Sequence, residues 1–373
     1  MILPFTKPTI GEEELQAISD VLQSGWLASG PKALELESAL QEYIGNSVYV
    51  RLFNSGTSAL EACLIAAGIG PGDEVIVPAM SFVATANVVV RVGATPVFVD
   101  VDLHSRNIIV DAIKNALTAR TKAIIPVHFA GLAAELDSLY ALAKEKNLLI
   151  IEDAAQAIGT CYQQRKIGAS GNPVCFSFHP NKNMTTIEGG AVACADPEFI
   201  ERLERIRFHG IKKFPDGTMD VSEWGGKMNF PDVNAALGLV QLKKLDGFNE
   251  KRRMLAARYY TQLKESPALV LPTDADGHSW HMFCVCVDHN YLKTTRDTIL
   301  NTLKDSGILV GTHYPSMPGF TLYTRLGSVG SDYPNAEKIG AQTLTLPLFP
   351  AMNEADVDHV CRVLNEQILM KQF

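Results

Sequence analysis

The chain has 373 residues, of which 47% are apolar and 20% are charged, and its net charge at pH 7 is -8. This length allows a large domain together with a smaller one, and the composition is that of an ordinary globular protein. The acidic balance provides no overall positive field, so neither nucleic acid nor an anionic membrane is expected as a partner. An anionic substrate would need a local cluster of positive groups.

The first residues and the cysteines favour a cytoplasmic protein. Residues 1–7 lack the charged-then-apolar pattern of a signal peptide, and no apolar run reaches about 18 residues. The seven cysteines are an odd number scattered mostly through apolar runs, which favours free thiols in a reducing compartment. Cys284 and Cys286 form a C-x-C pair without a second ligand pair at zinc spacing, so no metal site is expected.

Between about residues 45 and 195, short apolar runs alternate with helix-like segments such as residues 133–144. Most of the runs are rich in Val and Ile and apolar on both faces. This pattern predicts an α/β fold of βαβ units, with a mainly parallel sheet of seven strands that is covered on both faces. The predicted strands are residues 48–53, 74–78, 95–101, 123–127, 148–152, 173–178 and 190–194.

The sequence becomes helical from about residue 233 to 265, which predicts a long connecting helix. A strand at residues 280–287 and helices near residues 295–304 and 356–369 follow it. We therefore predict two closely packed domains. The large domain comprises residues 1–240 with an N-terminal arm, and the smaller α/β domain comprises residues 241–373.

Sites in parallel sheets lie at the carboxyl ends of strands, so the residues that follow each run are informative. The first run is followed by the small, hydroxyl-rich segment 54–58 and then by a helical run. Free backbone N–H groups and the positive end of a helix dipole at Gly56 and Thr57 favour a phosphate. The alternative is a helix N-cap without a ligand.

Asp153 follows the apolar run at residues 148–152. A carboxylate at the end of a buried strand needs a cationic partner, and a protonated pyridine nitrogen would be one. The alternative is a cap for the next helix. These two interpretations stay open at this point.

Lys182 lies between two predicted strands, after Ser177 and before the pair Gly189-Gly190, which permits close approach to the backbone. A lysine buried beside a cofactor loses its proton readily and becomes a nucleophile, although most lysines are solvated surface charges. Pyridoxal phosphate (PLP) needs a phosphate cradle, a carboxylate for its ring nitrogen and a lysine that forms a Schiff base. The three strand ends supply all three groups in plausible order, so PLP is the predicted cofactor.

Over essentially its whole length the chain resembles the DegT/StrS-type sugar aminotransferases of the aspartate aminotransferase superfamily. The segments that carry the resemblance are residues 24–31 (SGWLASGP), 54–60 (NSGTSAL), 72–78 (GDEVIVP), 126–131 (PVHFAG), 152–155 (EDAA), 177–182 (SFHPNK) and 346–350 (LPLFP). The resemblance implies the type I fold of PLP-dependent transferases and a homodimer with shared active sites. Within the family, the chain is similar to the aminotransferases that make UDP-4-amino-4-deoxy-L-arabinose.

The resemblance also implies residue roles. Lys182 would bind PLP covalently and later move a proton between Cα of the amino donor and C4′ of the cofactor. Asp153 would keep the ring nitrogen protonated. The remaining cofactor contacts would come from Phe82, which stacks on the ring or serves as a core aromatic, from Gln156 near O3′ or the ring face, and from the phosphate ligands Gly56, Thr57 and Ser177.

Two segments depart from the family pattern. Many members have an Asn-Tyr/Phe-Arg segment whose Asn reaches the PLP phosphate of the neighbouring subunit, whereas this chain has Lys227 and Asn229 at the Asn and Arg positions. Either residue would make that contact. Gln156 replaces the His of many sugar 4-aminotransferases and occurs in several 3-aminotransferases, so the position of the substrate keto group stays open.

Three further residues resemble parts of the substrate site. His313 and Tyr314 match a loop near the substrate and the cofactor edge, and Trp26 would cover the entrance for a nucleotide sugar. A loop His or Trp is also commonly structural.

The resemblance predicts a two-step transaminase that takes the amino group from glutamate and gives it to a nucleotide-linked keto-sugar, with a 4-keto sugar preferred. The product would enter surface-glycan or lipopolysaccharide synthesis. A PLP-dependent sugar dehydratase is disfavoured because those relatives replace the Schiff-base lysine with His. A regulatory PLP-binding protein stays an alternative. A NAD-linked enzyme is not expected, because no G-x-G-x-x-G follows any predicted strand.

Overall fold

The apolar runs that predict strands form two sheets in the N-terminal part of the chain. A computed structural model describes residues 2–263 and 265–369. Within these ranges the strands are β1 (Tyr49–Phe53), β2 (Glu74–Pro78), β3 (Thr95–Val99), β4 (Thr121–Ile124), β5 (Leu149–Ile150), β6 (Glu152–Asp153), β7 (Cys161–Tyr162), β8 (Arg165–Lys166), β9 (Val174–Ser177), β10 (Gly190–Cys194), β11 (Ile211–Lys213), β12 (Met219–Val221), β13 (Leu269–Val270), β14 (Phe283–Val287) and β15 (Thr343–Leu346).

Helices connect the strands. Within the same ranges they are α1 (Glu12–Ser24), α2 (Pro31–Ile44), α3 (Gly56–Ala66), α4 (Ala84–Arg91), α5 (Val110–Ala116), α6 (Leu136–Lys146), α7 (Pro197–Ile206), α8 (Asp232–Gln262), α9 (Arg296–Asp305), α10 (Thr321–Arg325), α11 (Pro334–Gln342) and α12 (Glu354–Val363). Short 3₁₀ turns occupy Phe129–Gly131 and Gly330–Asp332, and a π-helical segment, Leu364–Leu369, follows α12. The two helix predictions at residues 295–304 and 356–369 are confirmed to within a few residues.

The strands are ordered β1-β10-β9-β6 and β3-β2-β4-β5 in two four-stranded sheets. Ile151 separates β5 from β6, and its amide donates to the Ile124 carbonyl at 3.1 Å. Only β10 in these two sheets runs antiparallel to its neighbours, β1 and β9. The predicted α/β fold with a parallel sheet is confirmed. The run at 148–152 forms two short strands. The residues before Ile151 pair with β4, whereas the residues after it pair with β9.

The sheet is buried on both faces, as the strand composition predicts. Val75 and Val77 of β2 pack into one apolar cluster with residues of α3 and α4, whereas Ile76 packs into a second cluster with residues of α2 and α6. Side chains of successive strand residues point to opposite faces, so each face has its own core. Burying each such side chain stabilises the fold by about 1.5–3 kcal/mol.

The long helix α8 links the N-terminal core to a third apolar cluster. Its first turns pack against α1 and α2, and its last turns pack against α12. The third cluster includes Tyr259 of α8, Phe283 of β14 and Leu346 of β15. The predicted domain boundary at residues 240/241 falls inside this continuous helix. The predicted domains also contain Met1, Lys264 and residues 370–373, which lie outside the described residues. The division into two domains stays a prediction.

Cys284 and Cys286 lie buried in β14. The described part of the chain contains no group of three or more His, Cys, Asp or Glu side chains arranged to hold a metal ion. Among the described helices, none is both apolar enough and long enough to cross a bilayer.

Candidate active site

The carboxyl ends of β2, β6 and β9 meet the start of α3 around a cavity of about 410 Å³. This is the edge of the sheet at which the sequence places its candidate residues. The cavity lining includes nine of the twelve predicted site residues, which are Gly56, Thr57, Phe82, Asp153, Gln156, Ser177, Lys182, His313 and Tyr314.

The N-terminus of α3 faces this cavity. Ser55 is the N-cap, and its hydroxyl accepts a hydrogen bond from the Ser58 amide at 3.0 Å. Ser55 therefore caps the helix, but it satisfies only one of the free amides of the first turn. The amides of Gly56 and Thr57 remain at the positive end of the helix dipole, which is a site for an anionic phosphate.

The backbone near Gly56 is packed too closely for side chains. A Cβ atom on Gly56 would lie 2.9 Å from the Ser177 Cβ, and a Cβ atom on Gly190 would lie 2.6 Å from the Gly56 nitrogen. The start of α3, the end of β9 and the start of β10 therefore touch through their main chains. This close approach fixes the helix N-terminus relative to Ser177.

Replacing Gly190 by alanine is expected to lower the free energy of unfolding by about 1–3 kcal/mol, because backbone atoms must move apart to admit the methyl group. The matched control is Gly247→Ala in α8, where an added Cβ meets nothing within 4 Å. That change is expected to stabilise by up to about 1 kcal/mol. Urea unfolding of both variants measures the difference, and equal stabilities would contradict the packing argument.

Asp153 ends β6 as a buried carboxylate with 5% of its surface exposed. Its Oδ2 accepts a hydrogen bond from the Thr85 hydroxyl at 2.8 Å, and its Oδ1 accepts one from the Ala155 amide at 3.1 Å. Burial raises the Asp153 pKa, while these hydrogen bonds and the Lys182 charge oppose the shift. Residues 154–196 contain no α-helix, so the helix-cap alternative is wrong, and a bound cation is the partner that this carboxylate lacks.

Lys182 is half-buried in the same cavity. Burial lowers the pKa of its amine from 10.5 to about 8, with the Asp153 carboxylate opposing the shift. About a tenth of the amine is therefore uncharged at pH 7, far more than for a lysine with an ordinary pKa, and the uncharged amine is the nucleophilic form. The surface-lysine alternative does not describe this side chain.

Gln156 and Phe82 line the cavity in different ways. Gln156 is buried, and its Oε1 accepts a hydrogen bond from the Ala130 amide at 2.8 Å, so its amide NH₂ group is left as a donor. Phe82 is 55% exposed, which excludes the core-aromatic alternative, and its ring centroid lies 6.1 Å from that of Tyr314. A flat ligand could therefore contact one face of the Phe82 ring.

His313 is held beside Tyr314 by β15. The His313 Nδ1 atom lies 2.8 Å from the Thr345 hydroxyl, and the Thr343 hydroxyl donates to the His313 carbonyl at 3.0 Å. Burial, together with the Lys182 charge, lowers the His313 pKa to about 4. The imidazole is therefore neutral at physiological pH.

Trp26, Lys227 and Asn229 do not reach this cavity within one chain. Lys227 and Asn229 line a second cavity of about 460 Å³. The Lys227 amine lies 4.5 Å from the centroid of the Phe208 ring, and the Asn229 side-chain amide donates to the Ser29 hydroxyl at 2.7 Å. Trp26 is exposed, and its Nε1 contacts the Ser29 carbonyl at 3.4 Å.

These observations test whether the residues present fit PLP. Free amides at the start of α3 suit the phosphate, the buried Asp153 carboxylate suits a protonated ring nitrogen, and the Lys182 amine suits the aldehyde carbon. Because the close packing at Gly56 and Gly190 leaves no room for side chains there, main-chain amides would bind the phosphate. The residues fit the cofactor.

Residues 8–365 match the sequence model of the DegT/DnrJ/EryC1/StrS aminotransferase family. The chain belongs to this family. Its members depend on PLP, so PLP is the cofactor of this aminotransferase as well.

Solved structures of other aminotransferases superpose on the chain over nearly its whole length. Spr1654 of Streptococcus pneumoniae, classed as a sugar aminotransferase, is 32% identical with a TM-score of 0.93, and 99% of each chain is covered. Structures of that protein include a PLP form and a PMP form. Helicobacter pylori PseC, an aminotransferase of pseudoaminic acid biosynthesis, is 30% identical with a TM-score of 0.92, covering 99% of this chain and 100% of its own. DesV of S. venezuelae is 34% identical with a TM-score of 0.89, covering 95% and 94%.

The lowered pKa of Lys182 predicts how the apo-aminotransferase takes up PLP. The rate of attachment should rise as the pH increases from 6 to about 8, because deprotonation creates the nucleophile, and should level off about one unit higher. Absorbance of the bound cofactor measures the rate. Free Nα-acetyl-lysine, with an ordinary amine pKa, is the control and should still gain reactivity above pH 9. If the rate of PLP attachment to the protein still increases above pH 9, as for the control, the lowered pKa of Lys182 is contradicted.

Sequence reasoning missed Thr85, whose hydroxyl donates to Asp153 and lies 3.1 Å from the Ser81 hydroxyl. The signal was available, since Ser81 and Thr85 follow β2 four residues apart at a strand end that already contained Phe82. It also missed the buried contact between Asn183, the residue after Lys182, and His281. Nothing in the sequence pattern connects residues that are 98 positions apart.

Proposed function

We propose that this aminotransferase transfers the amino group of glutamate to a nucleotide-linked 4-keto-sugar and that its product enters surface-glycan or lipopolysaccharide synthesis in the cytoplasm. The observation that carries the proposal is the grouping of Lys182, Asp153 and the α3 N-terminus around one cavity. The likeness to PseC, which serves pseudoaminic acid biosynthesis, supports a sugar acceptor.

The proposed roles follow the geometry of the cavity. When bound, PLP supplies an electron sink for the charge that develops at Cα of the amino donor. Lys182 binds the cofactor and carries protons at Nζ, and Asp153 holds the ring nitrogen in its protonated form. The phosphate is bound by Gly56, Thr57 and Ser177.

Other cavity residues orient the reactants in this proposal. Phe82 offers the exposed face of its ring to the cofactor, and Gln156 offers its free NH₂ group. His313 and Tyr314, which line the cavity, would contact the substrate, and a neutral imidazole can donate or accept a hydrogen bond.

A homodimer would complete the site. We propose that Lys227 or Asn229 contacts the phosphate of the partner's cofactor, and that Trp26 covers the nucleotide-sugar entrance. Exposed apolar side chains near the second cavity, which are Trp26, Leu27, Leu34 and Phe208, support a subunit contact at this surface. With β5 and β6 counted as one strand, we propose that the two sheets form one sheet of seven strands in a large domain of residues 1–240, with residues 241–373 as the smaller domain.

A 3-keto-sugar acceptor is the second candidate, and Gln156 is the observation that favours it. The Gln156 side chain is buried and fixed by the Ala130 amide, so it presents a donor to the cavity and no titratable imidazole. A sugar dehydratase is not proposed, because Lys182 lies in the cavity.

The test is a two-step spectroscopic assay with the purified holoenzyme. Glutamate should bleach the visible band of the bound cofactor, and a suitable keto-sugar nucleotide should restore it. A matched pair of UDP-linked 4-keto and 3-keto sugars distinguishes the two acceptors by the rate of restoration. A band that glutamate leaves unchanged would overturn the proposed donor, and failure of both sugar nucleotides would overturn the proposed acceptor class.

A further inference from the structure

A buried arginine connects the N-terminal part of the chain to the C-terminal sheet. Arg106, in the turn that follows β3, is 3% exposed. Its Nη2 atom donates to the Cys284 carbonyl at 2.8 Å and to the Cys286 Sγ at 3.3 Å. Its Nη1 atom donates to the Thr343 hydroxyl at 3.3 Å. The guanidinium therefore holds β14 and β15 at the same time.

This arrangement of Arg106 is costly. A buried charge is expensive unless an opposite charge pairs with it, and these three partners are a carbonyl, a thiol and a hydroxyl. The φ angle of Arg106 is 61°, in the left-handed region that residues other than glycine rarely adopt. Within the described residues its Nε atom has no hydrogen-bond partner, but the same holds for Arg252. What distinguishes Arg106 is where its contacts lead.

The Thr343 hydroxyl joins Arg106 to the loop that contains His313. Because a guanidinium only donates, the hydroxyl oxygen is the acceptor in the contact with Arg106. Its single hydrogen is donated to the His313 carbonyl, 3.0 Å away. The lining of the active-site cavity contains His313 but neither Thr343 nor Arg106. These three residues thus form an ordered chain of hydrogen bonds that ends at the cavity wall.

A second connection runs through Phe129 to Tyr314, the residue that follows His313. The guanidinium carbon of Arg106 lies 5.7 Å from the centroid of the Phe129 ring, which is a cation–π contact. The Phe129 ring meets the Tyr314 ring edge-on, with centroids 6.2 Å apart and an interplanar angle of 84°. The Phe129 amide also donates to the Asn107 side chain at 3.0 Å. The turn at Arg106 and Asn107 therefore fixes Phe129, and Phe129 contacts a second residue of the cavity wall.

We propose that Arg106 is a positioning residue that sets the place of His313 and Tyr314 in the cavity wall, acting through Thr343 and Phe129. A guanidinium suits this role because its donors point in several fixed directions and its flat face can lie over an aromatic ring. The inference rests on the proposed function, in which His313 and Tyr314 contact the keto-sugar substrate.

Thr343 allows a test that leaves Arg106 in place. Thr343→Val keeps the shape of the side chain and removes the hydroxyl, whereas Thr343→Ser keeps the hydroxyl. We expect the KM for the keto-sugar nucleotide to rise about fivefold in Thr343→Val, with kcat within about twofold, because one hydrogen bond that places His313 is lost. Thr343→Ser should recover most of that loss.

Arg106→Met removes every donor of the guanidinium and keeps an apolar stem. The KM for the keto-sugar nucleotide should rise about tenfold, because both connections to the cavity wall are lost. The effect should be smaller in a Thr343→Val background, where one of the connections is already gone. Full multiplication of the two separate effects would overturn the proposal, and so would an unchanged KM in both single variants.

A second readout does not depend on the acceptor substrate. In holoenzyme labelled with ¹³C at histidine Cε1, the NMR signal of His313, assigned by its loss in His313→Gln, reports the surroundings of the ring. We expect this signal to shift in Arg106→Met and in Thr343→Val. The matched control is Asn335→Ala, which removes another hydrogen bond between the N-terminal and C-terminal parts, from the Asn335 Nδ2 to the Val101 carbonyl at 2.8 Å. It should lower stability without moving the His313 signal.

An unmoved His313 signal in Arg106→Met would overturn the proposal, as would an equal shift in Asn335→Ala. If Arg106→Met does not fold, Arg106→Lys decides, because it keeps the charge but presents its donors from a single point. Its His313 signal should shift, and an unmoved signal would again overturn the inference. Failure of the proposed function is distinct, since no keto-sugar nucleotide would then be a substrate while the His313 signal still moved in the Arg106 variants.

Discussion

Replacing Lys182 by alanine is expected to lower the rate of glutamate-driven conversion of the cofactor by about 10⁴-fold. The variant loses the amine that we propose both binds PLP and carries the proton, and no other lysine lines the cavity within residues 2–263 and 265–369. Single-turnover absorbance changes after mixing with glutamate measure the effect. PLP should still bind without a covalent bond, because the phosphate cradle at Gly56 and Thr57 is intact.

The control for this variant is Lys304→Ala, which removes an exposed lysine at the end of α9. It should leave both half-reactions within twofold of the unsubstituted protein. A Lys182→Ala protein that keeps full turnover would contradict the assignment of the catalytic lysine, whatever the structure of the cavity.

The Asp153→Asn variant should lower kcat/KM for glutamate by about 10²- to 10³-fold, which corresponds to about 3–4 kcal/mol. The carboxylate is buried and hydrogen-bonded by Thr85 and Ala155, and we propose that it balances the positive ring nitrogen of PLP. The amide has nearly the same shape but no charge. The electron-withdrawing form of the ring is therefore lost, while most of the packing is kept.

Thr85→Val provides the matched control for Asp153. It removes the hydroxyl that donates to Oδ2 and keeps the charge, so a loss of about tenfold is expected. Steady-state kinetics with glutamate at several pH values compares the two variants. A larger loss in Thr85→Val than in Asp153→Asn would show that the hydroxyl, and not the carboxylate charge, carries the effect.

Much of the fold could be predicted from local patterns. The apolar runs at 74–78 and 190–194 coincide with β2 and β10, because strands buried on both faces need continuous apolar sequence. The run at 148–152 gave one predicted strand where β5 and β6 are separate, since the switch of hydrogen-bond partners at Ile151 depends on neighbouring strands. The antiparallel direction of β10 likewise leaves no mark on its own residues.

The candidate site was predictable where function requires one residue type at a strand end. Asp153 and the segment at Gly56 stand directly after predicted strands, Lys182 lies between two of them, and the structure brings all three to one cavity. Contacts between distant parts of the chain were not predictable. The contact between His281 and Asn183 depends on how the C-terminal part packs against the N-terminal sheets, and the contact between His313 and Thr345 depends on how a loop packs against β15.

The central claim is that Lys182 binds PLP, and borohydride reduction of the holoenzyme tests it most directly. Reduction fixes the cofactor to the lysine that holds it, and peptide mass spectrometry then locates the added mass. We expect the label on the peptide that contains Lys182, and pretreatment with glutamate should prevent the labelling. A label on another lysine, or none on an enzyme that contains PLP, would contradict the account.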